Sequence, residues 1–306
     1  MGSTAWAASC CGGGSSASLV LPKFSKAMLD ISMDVEQYDG YWNKSGKVVS
    51  DPPGSDLNQY RLNIGYAHRI ASRWQASMTL PYVWNDNQYA GEISRTEGFG
   101  DASINVWYEA FDAIKCVWKV RNLNDLKPAT YIGASLTVPT GVSPYDDVKN
   151  SFDVTGRGMY RLDGMLSFDK TIYPWNAAAQ LVYGKYLQRP VNREYGDFKE
   201  PYDKRLGDRS VVSLSGGYTF FLESMDTVTL TMAYADLREQ EGEINGSPNP
   251  ITGMHKSSIS NTVAFSTMDR DWVIKFTWSH ALAYKNGGEN FPITDVYTVG
   301  VSHVFR

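Results

Sequence analysis

Eight charged residues within the first 163 positions of this 306-residue chain fall where an extended backbone would turn them to one side: Asp30, Asp34, Glu36, Arg61, Arg73, Asp101, Arg161 and Asp163. Between the first of them stand Leu29, Ile31, Met33 and Val35. In a strand, therefore, the charges share one face and the apolar side chains the other. Charges of both signs around a shared interior have two uses. Opposed acidic and basic walls set a transverse field that orients dipolar solutes in a pore. Alternatively, they form salt-bridge ladders that fill a narrow interior and conduct nothing. The later chain offers Ser213, Ser215, Thr229, Thr231, Ser258, Ser260, Thr262, Thr277, Thr298 and Ser302 on the polar faces of its strands. The expected interior is thus charged on one wall and small-polar on the other.

Other chemistry finds little support. The four histidines, His68, His255, His280 and His303, fall in separate segments, and no Gly-x-Ser-x-Gly occurs. Ser279 and His280 are neighbours, but period 2 points them to opposite faces. An embedded hydrolase is therefore disfavoured, and no enzyme is expected. The cysteines are Cys10, Cys11 and Cys116, an odd number without a CxxC pair. That supports no metal centre, no cofactor and no disulfide framework. Lys+Arg 29 against Asp+Glu 33 gives a net charge of -4 spread over both signs, which argues against nucleic acid.

The elements that must position these residues are strands. Period-2 alternation recurs along nearly the whole chain: Tyr60, Leu62, Ile64 and Tyr66 alternate with Arg61, Asn63 and Gly65, and Trp74, Ala76, Met78 and Leu80 with Gln75, Ser77 and Thr79. The pattern continues to Trp272, Ile274, Phe276 and Trp278, then Tyr297, Val299, Val301 and Phe305. Asn261 alone interrupts an apolar face. About twelve strands (ten to fourteen) of roughly ten residues are expected, the length a tilted strand needs to cross an apolar band. No run of about eighteen residues is predominantly apolar, which excludes a helical span.

Connection lengths distinguish a membrane barrel from a soluble sandwich. Those near 39–57, 85–97, 140–157, 188–209, 238–256 and 283–294 are long and polar. Those near 69–72, 170–174, 222–226 and 268–271 are only turns. The long connection 110–128, which holds Cys116, breaks the rhythm. Closure is also what an apolar surrounding demands, because it leaves no backbone edge unpaired. The expected fold is all-β: a closed antiparallel transmembrane β-barrel with short periplasmic turns, long extracellular loops and both termini periplasmic.

Ala5-Trp6-Ala7 is an A-x-A cleavage pattern, without the basic and apolar stretch that normally precedes one. Cys10 to Ser18 reads as a flexible tether. Residues 1–23 are assigned to a signal remnant and Cys/Gly/Ser-rich tether, and residues 24–306 to the barrel. Ala7-Ala8-Ser9 lacks the bulky aliphatic residue expected before a lipidated Cys10.

The terminal alternation up to Phe305 resembles the signal read by outer-membrane assembly machinery, although His303 is polar and Arg306 follows the aromatic residue. Residues 60–170 carry further motifs: Leu80-Pro81-Tyr82-Val83, Gly98-Phe99-Gly100-Asp101, Leu136-Thr137-Val138-Pro139-Thr140-Gly141 and Gly156-Arg157-Gly158. In these the chain resembles a family of bacterial outer-membrane transporters of the MetA pathway of phenol degradation. The resemblance implies an outer-membrane channel for passive passage of small solutes, hydrophobic or aromatic among them. The alternative is a structural or accessory barrel in a surface or electron-transfer complex. Expected partners are membrane lipid and lipopolysaccharide, the assembly machinery through Phe305, and a small solute.

Overall fold

The computed structural model describes residues 19–111, 115–150, 153–284 and 286–306. Among them, twelve long strands form the wall. These are β1 (Ala27–Trp42), β2 (Asp56–Ala71), β3 (Trp74–Tyr89), β4 (Ala102–Glu109), β5 (Ala129–Val138) and β6 (Arg161–Ile172), followed by β7 (Trp175–Tyr186), β8 (Arg209–Phe221), β9 (Thr227–Glu239), β10 (Met254–Ser266), β11 (Trp272–Ala281) and β12 (Phe291–Phe305). Each pairs antiparallel with the next, and β12 returns to β1 from Ala27↔Phe305 to Trp42↔Phe291. The ring therefore has no open edge, the condition for a sheet surrounded by hydrocarbon.

The barrel is apolar outside and polar inside. Met232 is 62% exposed while its neighbour Thr231 is 5% exposed, and the same contrast follows every strand. Leu29, Ile64, Leu162, Leu214, Ile274 and Val299 all face outward, whereas Asp30, Asn63, Asp163, Ser213, Lys275 and Thr277 are buried. This arrangement is stable only where the exterior meets lipid. The cross-strand neighbours of Asn261, Met232 and Trp278, are both apolar, and nothing in the structure explains it.

Two ends follow from the connections. At one, Ala71↔Trp74 and Ile172↔Trp175 close two-residue turns, and 222–226 and 267–271 are short. Both β1 and β12 meet this turn end, where Val304 N donates to Asp271 O at 2.7 Å. At the loop end, Glu92–Phe99 extends the β3 hairpin, and Arg189–Glu194, Asp197–Arg205, Gly242–Ile244 and Ser247–Asn249 form a separate four-stranded sheet. That sheet lies in connections expected to be plain loops.

The described part of the irregular connection, residues 115–128, packs against the turn end. Cys116–Val117 pairs parallel to Thr171 and Ile172, and Asn122 caps a 3-10 turn at Leu123–Leu126 by accepting from the backbone N–H groups of Asn124 and Asp125. Trp118 lies against Tyr173 at 4.5 Å and Phe221 at 5.6 Å. Cys116 is disulfide-bonded, a bond for which the odd cysteine count offered no support; Cys10 and Cys11 lie outside the described residues, as does most of the expected 1–23 tether.

Candidate solute pathway through the lumen

The wall from β11 through β12 and β1 to β2 is filled by its own charges. Lys275 Nζ reaches Asp30 Oδ2 at 3.0 Å, and Ser302 Oγ donates to the same carboxylate. Gly300 makes room for that lysine: a Cβ there would stand 2.6 Å from Lys275 Cε. Arg61 bridges Asp34 at 3.5 Å and Glu36 at 3.3 Å. Asn63 and Thr298 complete the shell of Asp34 at 2.9 and 2.7 Å. Such desolvated charges persist because each is paired and hydrogen-bonded.

The opposite side, from β6 to β10, is organised differently. Arg161 Nε pairs with Asp163 at 2.7 Å and its Nη1 donates to Tyr186 OH at 3.2 Å. Arg157 Nη1, from the preceding loop, takes Glu239 at 3.0 Å. Lys256 Nζ donates to Thr294 Oγ1 at 2.6 Å and lies 5.0 Å from the centre of the Phe291 ring. Beside them opens a cavity of about 170 Å³, lined by Arg209, Lys256 and Gln180 together with Met165, Val182 and Val211.

Above it, under the loops, lies a vestibule of about 810 Å³ faced by Tyr38, Trp42, Tyr145, Arg157 and Glu239. Phe291 borders both spaces. In the loops, Arg189 and Lys204 stand 4.9 and 5.4 Å from the Tyr145 ring. Burial, then the charge of Glu194, pushes the Tyr145 phenol up.

At the turn end the chain before β1 enters the mouth. Leu19 and Leu21 are buried with Met28, Ala67 and Val304, while Arg69 holds the segment through Pro22 O at 3.0 Å and Ser25 O at 2.8 Å. A Cβ at Gly65 would meet Leu19 Cδ1 at 2.6 Å, so the glycine is what admits that leucine.

Of the eight expected lumen residues, the structure turns Asp30, Asp34, Glu36, Arg61, Arg161 and Asp163 inward. Arg73 is not among them: it is exposed in the Ser72-Arg73 turn, its carbonyl accepting from Glu109 N at 2.9 Å. Two residues suffice for a hairpin turn, and there the alternation ends. Asp101 sits at the loop end as a clamp, accepting from the backbone N–H groups of Arg157 at 2.6 Å and Gly141 at 3.2 Å. Burial raises its carboxyl above the usual range, against those two donors. The small-polar wall was also read too simply, since Arg209, Glu239, Lys256 and Lys275 belong to it. Lys275 was legible from its place between Ile274 and Phe276; the other three lie at strand ends assigned to loops.

The histidines are dispersed. His255 contacts Asp236 at 2.7 Å and His280 contacts Asp295 at 3.0 Å, and Ser257 Oγ donates to Asp236 rather than to a histidine.

No protein-family model matches the chain, and no curated protein matches its sequence. Among solved structures, an outer membrane channel from Pseudomonas putida F1 superposes with a TM-score of 0.69 at 15% identity, over 96% of this chain and 99% of that one. The β domain of the Bordetella autotransporter BrkA superposes with a TM-score of 0.53 at 12% identity, over 92% and 100%. These likenesses establish the fold, a closed twelve-stranded antiparallel barrel of the outer-membrane kind.

Proposed function

We propose that this barrel lies in the bacterial outer membrane as a channel for passive passage of small solutes with hydrophobic or aromatic bodies. One observation carries the reading: an aromatic-lined vestibule stands over a lumen cavity that mixes apolar and polar lining, with Phe291 bordering both. A solute with an apolar body finds ring and aliphatic surface along this side, and its polar end finds fixed donors. The protein from Pseudomonas putida F1 that shares this architecture is an outer membrane channel. In this orientation the turn end and both termini are periplasmic. The long loops meet lipopolysaccharide, and the strand ending at Phe305 is offered to the assembly machinery.

A second reading, a structural or accessory barrel, has its own support in the ion-paired wall and in the Leu19–Ser25 segment held in the mouth. Proteoliposome swelling separates the two. The purified barrel should fractionate with outer membrane, migrate heat-modifiably on gels, and accelerate swelling in isosmotic phenylalanine above protein-free vesicles. A folded, heat-modifiable barrel that leaves swelling at background supports the structural reading instead.

A further inference from the structure

Most charges in the lumen are matched at ion-pair distance, but Arg209 and Lys256, both lining the 170 Å³ cavity, have no carboxylate within 4.0 Å among the described residues. The carboxylates on their side are already engaged. Glu239, the direct cross-strand partner of Arg209, is taken by Arg157 at 3.0 Å and by Tyr186 OH at 3.4 Å. Asp163 is taken by Arg161 at 2.7 Å, and His280 on the cavity rim is turned to Asp295. Arg161 and Asp163 pair with each other, so the lining of this cavity carries two cations that have no ion-pair contact among the described residues, with Glu36, Asp295 and Glu239 acting on them only from farther off.

The register brings them together. Arg209 lies in the row of Glu239 and Met254, and Lys256 in the adjacent lumen-facing row with Val211 and Leu237. Their strands, β8 and β10, are two apart, about 10 Å; the Lys256 ammonium leans towards β12, on Thr294 Oγ1, and both side chains line the one cavity. A third donor joins them. Gln180 is buried, lines the same cavity, and its Nε2 has no hydrogen-bond partner among the described residues. Two cations and one amide N–H, all donors, therefore face one space. Beside them on the same wall, Met165, Val182, Val211 and Leu237 supply apolar surface.

We infer that this cavity is a binding subsite for a small organic monocarboxylate, its carboxylate held by Arg209, Lys256 and Gln180 and its apolar body against Met165, Val182 and Val211. Guanidinium and ammonium groups out of bulk water bind carboxylate far more strongly than a neutral polar group. The size also fits, since an apolar protein cavity of about 150 Å³ takes up a benzene ring. An inorganic anion would satisfy the donors and leave the aliphatic side unused. The inference rests on the channel reading for its purpose, but the subsite can be tested by binding alone.

Titration calorimetry on the detergent-solubilised full-length barrel, at pH 8, would compare benzoate, its neutral isostere benzamide, and inorganic phosphate. Benzoate should bind roughly tenfold or more tightly than either, the scale of one charge-assisted contact. Arg209→Gln and Lys256→Gln should each remove most of that preference, while Arg209→Lys keeps a large part of it. Heat-modifiable migration of each variant certifies the fold. Equal binding of benzoate and benzamide, an unchanged preference in both glutamine variants, or phosphate binding as tight as benzoate would overturn the proposal. Benzoate binding by a barrel that conducts nothing would uphold the subsite and reject the channel.

Discussion

Two sides of one lumen use the same residue types to different ends. From β11 through β2, Asp30 meets Lys275 and Arg61 meets both Asp34 and Glu36, so charge fills space. From β6 to β10, Arg161 and Asp163 form one such pair, but among the described residues Arg209 and Lys256 stand without a carboxylate at ion-pair distance, beside an open cavity. A buried ion pair is a poor source of stability but costly to break, because the survivor is left charged and unsolvated. A cation that lines an open cavity keeps its access to a solute. The first side is scaffold; the second is available for binding.

The largest effect expected from this contrast is at Lys275. Lys275→Met leaves Asp30 buried without its cation and should lower stability by about 3–5 kcal/mol, read as a drop in the urea midpoint of the reconstituted barrel. Adding Asp30→Asn should restore much of the loss. A smaller loss is expected where the exterior is violated: Leu214→Arg, on the lipid-facing side, should cost about 2–4 kcal/mol, whereas Ser213→Arg, one residue away and facing the lumen, should cost less and narrow the passage instead. Equal effects at 213 and 214 would undermine the assignment of faces.

Acid should separate the loop sheet from the barrel. Burial opposes ionisation of Glu194, but hydrogen bonds from Lys204 and Tyr202 outweigh it and hold the carboxyl below its ordinary value. A lowered folded pKa contributes stability above the unfolded value, about 4.3 for Glu, and loses it as pH falls through the folded one. Below about pH 4 the Arg189–Arg205 hairpin should become open to protease while the barrel still migrates as folded. The smallest effect belongs to the open side: Arg209→Gln should change stability by no more than about 0.5 kcal/mol, read from the urea midpoint, because Arg209 has no hydrogen-bond or ion-pair partner among the described residues.

The barrel was legible because lipid outside and polar lumen inside impose period 2 on every strand. Leu29 to Glu36 alone carries the pattern. The loop sheet was not, since Arg189–Arg205 is mostly charged and its apolar residues, Val191, Tyr195, Phe198 and Tyr202, do not alternate with period 2. Arg73 was misplaced because parity was carried through a two-residue turn that cannot hold it. Arg209, Glu239 and Lys256 were hidden at strand ends that continue past the length hydrocarbon requires. The insertion of Leu19 and Leu21 into the mouth depends on distant residues, Gly65 and Arg69, and has no local signature.

The most direct test is single-channel recording in planar bilayers, comparing the native barrel with Val211→Trp, which fills the cavity on the open side. Native protein should show discrete conductance steps, and the tryptophan variant, folded by heat-modifiable migration, should lose most of that conductance. Silence from correctly folded native barrel, or unchanged conductance in Val211→Trp, would contradict a solute path along β6 to β10.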